Sequence, residues 1–378
     1  MSTEAVVATI RECADTRTPL RICGNSTWLD AGRPVRADKP VTLRGDTGVV
    51  SYVPGDLTLT ARAGASLGEI QHATRENDQW LPLDPYGSDD GTIGATISTA
   101  SAGPLAANFG LPRDLLLGLQ FVNGNGEVIR AGGKVVKNVA GFDLSRLLTG
   151  SWGTLGVITE VTMRLYARPR ADRTFVVPLT GSIRAQSALV HAMYTALAPY
   201  AFQLLGVSLA RALGLGNTAV ALVRLGGNEA VVDAQLKALS QNARASEVES
   251  PIWTTLRQME GSAESVIRIS SLPMRLIGTA AAILGEEVPG VYTSIDPRRG
   301  VMRVVATGQS QAAEASGTRV TSADFPPDDG NSSSIIFERL PADVWPTVSP
   351  SAVPDPLSQG IKKAYDPFNI LNPGILGD

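Results

Sequence analysis

Residues 132 to 165, GGKVVKNVAGFDLSRLLTGSWGTLGVITEVTMRL, constrain the fold more than any other stretch. They give a lysine-bearing glycine turn, a short helix-like segment, and then Gly150, Gly153 and Gly156 running straight into a β-branched strand. Glycine costs backbone entropy inside regular structure, so a regular glycine spacing ahead of a strand marks a place where the backbone approaches something closely. A bound ligand is the economical candidate.

A chain of 378 residues with 43% hydrophobic content can bury a sizeable core. At roughly 150 residues per domain it should make two or three domains. Its net charge of −3 comes from 33 basic and 36 acidic residues without long runs of either sign, which gives no basis for nucleic acid or an anionic membrane as partner. The first twenty residues carry Glu4, Arg11, Glu12, Asp15 and Arg17, leaving no uninterrupted apolar segment for a signal peptide. A cytoplasmic protein is expected, any membrane association being made through partners. The least polar stretch, Leu204 to Leu215, is broken by Arg211 and falls short of the roughly 20 apolar residues that span a bilayer, so it reads as core and not as a membrane insertion. Cys13 and Cys23 are too few for the four thiolates of an iron–sulfur cluster and are not spaced as CxxC. Two free thiols are expected.

Along the chain, residues 41 to 64 hold two alternating β-branched runs around the turn Pro54-Gly55-Asp56. Ser66 predicts the N-cap of a helix from Leu67, with Glu69 completing a capping box. A Pro-bounded loop, LPLDPYG, covers 81 to 87. Residues 115 to 130 read as a hairpin across Asn123-Gly124-Asn125-Gly126. After Pro169 helix-like segments such as Val231 to Leu239 alternate with strands such as Ala219 to Leu225. Residues 308 to 334 are small and polar and read as a mobile loop. Asp355 and Pro356 then start a short helix whose Leu357, Ile361 and Ala364 share a face, before the tail FNILNPGIL.

Four separated segments, in order, resemble vanillyl-alcohol-oxidase-type flavoproteins, specifically the FAD-binding subunits of bacterial glycolate oxidases. The first is RICGNST at Arg21 to Thr27, similar to the family's pyrophosphate loop, although Ile22 and Cys23 stand where the family commonly has glycine. Consecutive backbone N–H groups in such a loop form a nest for phosphate oxygens. The second, LDPYGSDDGTIGATISTASAGPLAANFG at Leu83 to Gly110, matches at Pro85, Thr92, Ile93, Gly94, Thr99, Gly103 and Gly110 and departs at Ala95 and Ala100. A small-residue helix packed tightly on a sheet would read the same way. Arg113 and Asp114 follow as an ion pair or cap. The third segment is the glycine stretch, nearly continuous from Ala131 to Val161, in which Gly156, Val157 and Ile158 pass the cofactor and Lys134 and Lys137 could screen phosphate. The fourth is DPFNILNPG, Asp366 to Gly374, with Asn372 at the edge of the flavin ring.

The resemblance implies an α+β fold: a two-part FAD-binding domain of the vanillyl-alcohol oxidase type plus a smaller α+β cap domain. The expected division is 1–168 for the FAD domain, 169–350 for the cap, and 351–378 as a segment returning to the FAD domain. It implies cofactor contacts from Gly24, Asn25, Ser26, Thr27, Pro85, Thr92, Ile93, Gly94, Thr99, Gly103, Gly110, Gly156, Val157, Ile158 and Asn372. FAD should be noncovalent, because Asn25 stands where covalent members place histidine and no cysteine lies in the second segment; Cys23 is the nearest thiol.

Oxidising a 2-hydroxy acid needs a base, a hydride acceptor and a cation for the carboxylate. The family's hydroxy-acid dehydrogenases use a histidine cluster, partly as metal ligands, whereas this chain has two histidines, His72 and His191, each placed in a helix with a surface or structural role. No metal site and no catalytic residue is assigned. Arg257, Arg268 and Arg275 could hold a carboxylate and Tyr292 could act as acid or base. Arg268, in the strand-like VIRIS run, is expected on a solvated side. The implied function is the FAD-binding component of a glycolate (2-hydroxy acid) oxidase complex, with a histidine-bearing paralogous flavoprotein subunit and an iron–sulfur subunit as partners. Two alternatives share these residues: a self-sufficient FAD-dependent oxidoreductase, and a scaffold subunit without productive flavin. Flavin content separates the scaffold; turnover by the isolated chain separates the other two.

Overall fold

The computed structural model describes residues 1–37, 39–133, 143–307, 334–348 and 355–377. Lys134, Lys137 and the segment 308–333 lie outside the described residues. The chain forms two compact units, Met1–Arg168 with Ala342–Asp378, and Pro169–Pro341. The carboxyl-terminal piece of the first unit thus begins ahead of the expected 351.

The first unit is built on a five-stranded antiparallel sheet in the order Val49–Val53, Thr58–Arg62, Val157–Arg164, Leu116–Val122, Val128–Gly132. The glycine-led strand Val157–Arg164 is central, and its Val157, Val161 and Met163 are fully buried. Alternation of β-branched residues across one buried face is the pattern such a strand needs. Local sequence signals set the boundaries around it. Ser66 accepts from Glu69 N at 3.0 Å and donates its own N–H to Glu69 Oε2 at 2.6 Å, so the helix Leu67–Arg75 starts at a complete capping box. Asn123 closes the hairpin, its Oδ1 accepting from Asn125 N and Glu127 N at 3.0 Å each. Asp114 acts as a cap, its Oδ2 accepting from Leu111 N at 2.9 Å, and pairs with Arg113, whose Nε is 3.8 Å from Asp114 Oδ1.

A short parallel pair, Leu20–Cys23 with Lys39–Thr42, stands beside this sheet. The carboxyl-terminal tail extends it: Leu20 N donates to Ile370 O at 2.7 Å and Asn372 N to Leu20 O at 3.0 Å. The helix Pro356–Tyr365 that precedes the tail is capped by Asp355 as read from sequence, but its contact face is different. Leu357 is 73% exposed, while Ile361 and Tyr365 pack on the core. The buried Asp366 explains this geometry: it accepts from Ile370 N and Leu371 N at 3.0 and 2.9 Å and pairs with Lys362 Nζ at 2.7 Å. The helix is tied down through its last turn, and its first is left in solvent.

The second unit is an eight-stranded antiparallel sheet. The helices Ile183–Ala196, Glu229–Asn242 and Pro273–Gly285 supply Val190, Met193, Val232, Leu239 and Leu276 to a core with Phe202, Ile267, Ile295 and Val304 of the sheet. Alternation sends Arg268 and Arg303 to the other face, where register sets them directly opposite each other. Like charges so placed repel. Glu338 resolves the conflict, accepting from Arg268 Nε at 2.8 Å and Arg303 Nη2 at 2.6 Å, and Glu260 grips Arg303 at 2.6 and 2.7 Å. Burial pushes the Glu338 carboxyl up, but the two guanidinium groups prevail and hold it below the usual carboxylate range. Arg268 is therefore half-buried and paired rather than solvated, because the charge it faces across the sheet requires a shared counterion.

At the end of the strand Val291–Asp296, Asp296 is 4% exposed, and its Oδ1 accepts from Arg298 N and Arg299 N at 3.0 Å each. Its Oδ2 has no partner among the described residues. Burial pushes the carboxyl up to about 6, against the pull of Arg299. A folded value above the unfolded one, about 3.9, favours the protonated form in the native state. The stability this contributes is complete below about pH 4 and is lost as pH rises through about 6, by up to about 3 kcal/mol. Asp296→Asn keeps the accepting oxygen and cannot ionise. It should raise the urea midpoint at pH 8 and leave it unchanged at pH 4, and equal midpoints at pH 8 would contradict the assignment.

Candidate active site

The first unit contains a cavity walled by four chain segments: 21–35 with Leu43, 85–101, 152–158, and the tail at Asn372 and Ile375. The strand Leu20–Cys23 delivers the first wall. The backbone N–H groups of Gly24, Asn25, Ser26 and Thr27 follow in succession and meet no acceptor among the described residues. Ser26 holds φ +62°, the left-handed conformation that lets successive N–H groups converge in a concave turn. Such a run is an anion nest, the geometry a pyrophosphate requires. The loop is held from outside by Asn25 Nδ2 donating to Asp90 O at 2.8 Å and Thr42 Oγ1 donating to Gly24 O at 3.3 Å. A Cβ at Gly24 would lie 2.2 Å from Thr92 Oγ1, so only glycine lets this loop meet the second wall.

The second wall is the helix Ile93–Thr99 with the preceding loop. Thr92 caps it, accepting from Ala95 N at 3.3 Å. Its first N–H groups are already engaged: Ile93 N donates to Ala65 O and Gly94 N to Ala63 O, both at 2.9 Å. This helix end offers shape and small side chains, while the nest offers the anion donors. Ala100 ends the helix at φ 52°.

The third wall is the glycine stretch. Gly150 N donates to Ile97 O at 3.1 Å and Trp152 N to Ser98 O at 2.8 Å, which clamps it to the end of the helix. The close approaches made by its glycines are to protein. A Cβ at Gly156 would meet Phe121 Cδ2 at 2.5 Å, and one at Gly153 would meet Asn372 Nδ2 at 2.8 Å. Asn372 closes the fourth side. Buried, with φ 46°, it accepts Ile22 N at 2.7 Å on Oδ1 and donates from Nδ2 to Trp152 O at 2.8 Å.

Of the residues expected at the site, Gly24, Asn25, Ser26, Thr27, Pro85, Thr92, Gly94, Thr99, Gly156, Ile158 and Asn372 line this one cavity. Ile93, Gly103, Gly110 and Val157 are not among its lining residues. Ile93 and Val157 are fully buried in the core, a Cβ at Gly103 would fall 1.7 Å from Asp84 O, and Gly110 turns at φ +96° against Asp114. The sequence reading missed Trp28, Trp152 and Ser88. The two tryptophans carried a signal, being bulky residues amid glycine and serine. Cys23 also lines the cavity, half-buried and free, its thiol pushed up by burial. His72 and His191 are both exposed, on the helices Leu67–Arg75 and Ile183–Ala196. Tyr292 packs beside Val266 and Val305 in the second unit.

The chain is similar to known proteins to different extents. A family model described as FAD binding domain matches residues 1–132. The chain is 36% identical over 260 residues to glycolate oxidase subunit GlcE of Escherichia coli (strain K12), across 68% of this chain and 69% of that protein. It is 31% identical over 176 residues to glycolate oxidase subunit GlcD of Bacillus subtilis (strain 168), across 46% of this chain and 37% of that one. Among solved structures, p-cresol methylhydroxylase with substrate bound superposes with a TM-score of 0.71 at 16% identity, over 100% of this chain and 87% of that chain, a likeness of fold.

Asn372 and the glycines yield separable expectations. Asn372→Ala strips an acceptor from Ile22 N–H and a donor from Trp152 O, and should cost about 2–4 kcal/mol while lowering flavin content. Gly94→Val and Gly156→Val push into Ala63 and Phe121, so each should lose stability together with cofactor. Urea unfolding run beside flavin quantitation checks both; a glycine variant with native stability and no flavin would assign that glycine to the cofactor's own volume.

Proposed function

The chain belongs to the family of FAD-binding flavoproteins that includes the glycolate oxidase component GlcE, and from that premise we propose that it is the flavin-bearing subunit of a complex oxidising 2-hydroxy acids. Family membership makes it an FAD-dependent oxidoreductase acting on CH–OH donors, with the α+β fold of vanillyl-alcohol-oxidase-type flavoproteins. The observation that carries the site assignment is the run of four N–H groups at Gly24–Thr27 without an acceptor among the described residues, set on the wall of one cavity. These would hold the pyrophosphate, each charge-assisted bond contributing about 1.5–3 kcal/mol. Thr92, Gly94 and Thr99 would flank the dinucleotide on one side and Gly156, Ile158 and Asn372 on the other. The cofactor is held noncovalently, and Asn25, in the position where a histidine tether would stand, uses its amide on Asp90 O. Bound FAD supplies the hydride acceptor for oxidation of a hydroxyl-bearing carbon.

The remaining chemical demand is a base for the hydroxyl proton. His72 and His191 sit exposed on helices of separate units, and Arg268 is engaged by Glu338. This supports assigning proton abstraction and carboxylate binding to a histidine-bearing paralogous flavoprotein subunit, with an iron–sulfur subunit taking the electrons onward. In this reading the complex works in the cytoplasm. Among the described residues no helix is long and apolar enough to cross a membrane.

Three outcomes are expected. Purified protein should carry FAD that acid or heat releases intact; a colourless protein unable to bind added FAD would refute the site. The isolated chain should bleach only slowly with glycolate or lactate under anaerobic conditions and turn over when its partner subunits are added. His72→Gln and His191→Gln should leave that reconstituted activity unchanged. Rapid bleaching of the isolated chain would make it a self-sufficient enzyme.

A further inference from the structure

Two tryptophans stand in the cavity wall where the surrounding residues are small. Trp28 follows directly on the Gly24–Thr27 nest, and Trp152 sits between Gly150 and Gly153. Both are half-buried and both line the cavity. Their indoles lie nearly parallel, with centroids 6.3 Å apart and planes inclined by 23°, within the range of offset stacking. Neither belongs to the hydrophobic core of the unit, so core packing does not account for them.

Trp152 is also held in a conformation that its side chain disfavours. Its φ is +54°, in the left-handed region where a bulky residue is rare. Hydrogen bonds on both sides of the residue fix it there, from Trp152 N to Ser98 O and from Asn372 Nδ2 to Trp152 O, each 2.8 Å. The ring lies close over Gly32, where a Cβ would come within 3.1 Å of the indole. Strained residues held by their surroundings collect at ligand sites, where the constraint sets a side chain in advance of binding.

We propose that the Trp28–Trp152 pair is an aromatic platform on which one ring system of the bound dinucleotide, adenine or isoalloxazine, stacks beside the nest that holds its phosphates. The inference rests on the FAD reading of the site and adds the contact that positions a ring. Position argues for it: the nest fixes the pyrophosphate, and Trp28 follows that nest without an intervening residue. Chemistry argues for it as well, because indole faces bind planar heteroaromatic rings irrespective of their hydrogen-bonding edges.

The test uses the full chain stripped of flavin and titrated with FAD, ADP and riboflavin. Trp28→Leu and Trp152→Leu should each weaken FAD by about tenfold or more, whereas Trp28→Phe and Trp152→Phe should stay within about threefold of the unmutated chain. The same Leu variants should lose affinity for ADP if adenine is the stacked ring, or for riboflavin if isoalloxazine is. Acrylamide quenching of indole emission in the unmutated chain gives a reading independent of substitution: its rate constant should fall when the stacking probe binds. Folded Leu variants with undiminished FAD affinity, or indoles that stay equally accessible in the FAD complex, would overturn the platform alone. A lack of saturable FAD binding by the unmutated chain would instead refute the FAD reading and the platform with it.

Discussion

One buried carboxamide holds the cavity together. Asn372 ties the tail to the strand Leu20–Cys23 through Ile22 N and to the glycine stretch through Trp152 O, while its own N–H donates to Leu20 O. Three segments far apart in sequence are thereby joined through one side chain. A glutamine would reach too far and an aspartate could not donate to Trp152 O, so the residue type follows from the geometry. The nest depends on this staple, since Gly24 follows directly on the strand that Asn372 aligns. Asp366 and Lys362 place the staple in turn: the carboxylate organises the backbone just before Asn372, and the ammonium reaches Thr154 O at 3.0 Å.

The sequence made much of this legible, but for a reason that needed the structure to be stated correctly. Regularly spaced glycines announce close backbone approach, and Gly24, Gly94, Gly153 and Gly156 all make one. What they approach is Thr92, Ala63, Asn372 and Phe121. Tight interlocking of the walls is how the cavity acquires its shape, so these glycines line the cavity while their missing side chains leave room for the neighbouring wall. Ser26, by contrast, carries no sequence signal for its positive φ, and the N–H groups of its loop are backbone. Backbone donors are invisible in a residue string unless a motif marks them, and RICGNST departs from the glycine-rich form of the motif at Ile22 and Cys23.

Capping signals are legible residue by residue because they are local. Ser66 with Glu69, Asp355 with Pro356, and the Asn123 turn each complete their hydrogen bonds within a few residues. The environments of Arg268 and Leu357 are not local, being set by distant partners. Arg268 is half-buried because register places Arg303 opposite it and Glu338 from another strand between them. Leu357 is exposed because the tail is anchored at the far end of its helix. Periodicity gives a face, and only tertiary contacts decide which end of it is used.

The two units divide the chemistry unevenly. The first gathers neutral donors, small side chains and two indoles around a cavity, a set able to bind a dinucleotide and to hold its phosphates through backbone N–H groups. In the second, the buried Arg303 is paired with Glu260 and Glu338, and the half-buried Arg268 with Glu338. Withdrawing Arg303 from that arrangement would leave Glu260 uncompensated in the interior, at a cost of about 3–5 kcal/mol. Those arginines are therefore poor candidates to leave their carboxylates and grip a small hydroxy acid. The paired Arg268 and Arg303 thus serve the interior of their own sheet, and the cavity of the first unit draws instead on backbone N–H groups.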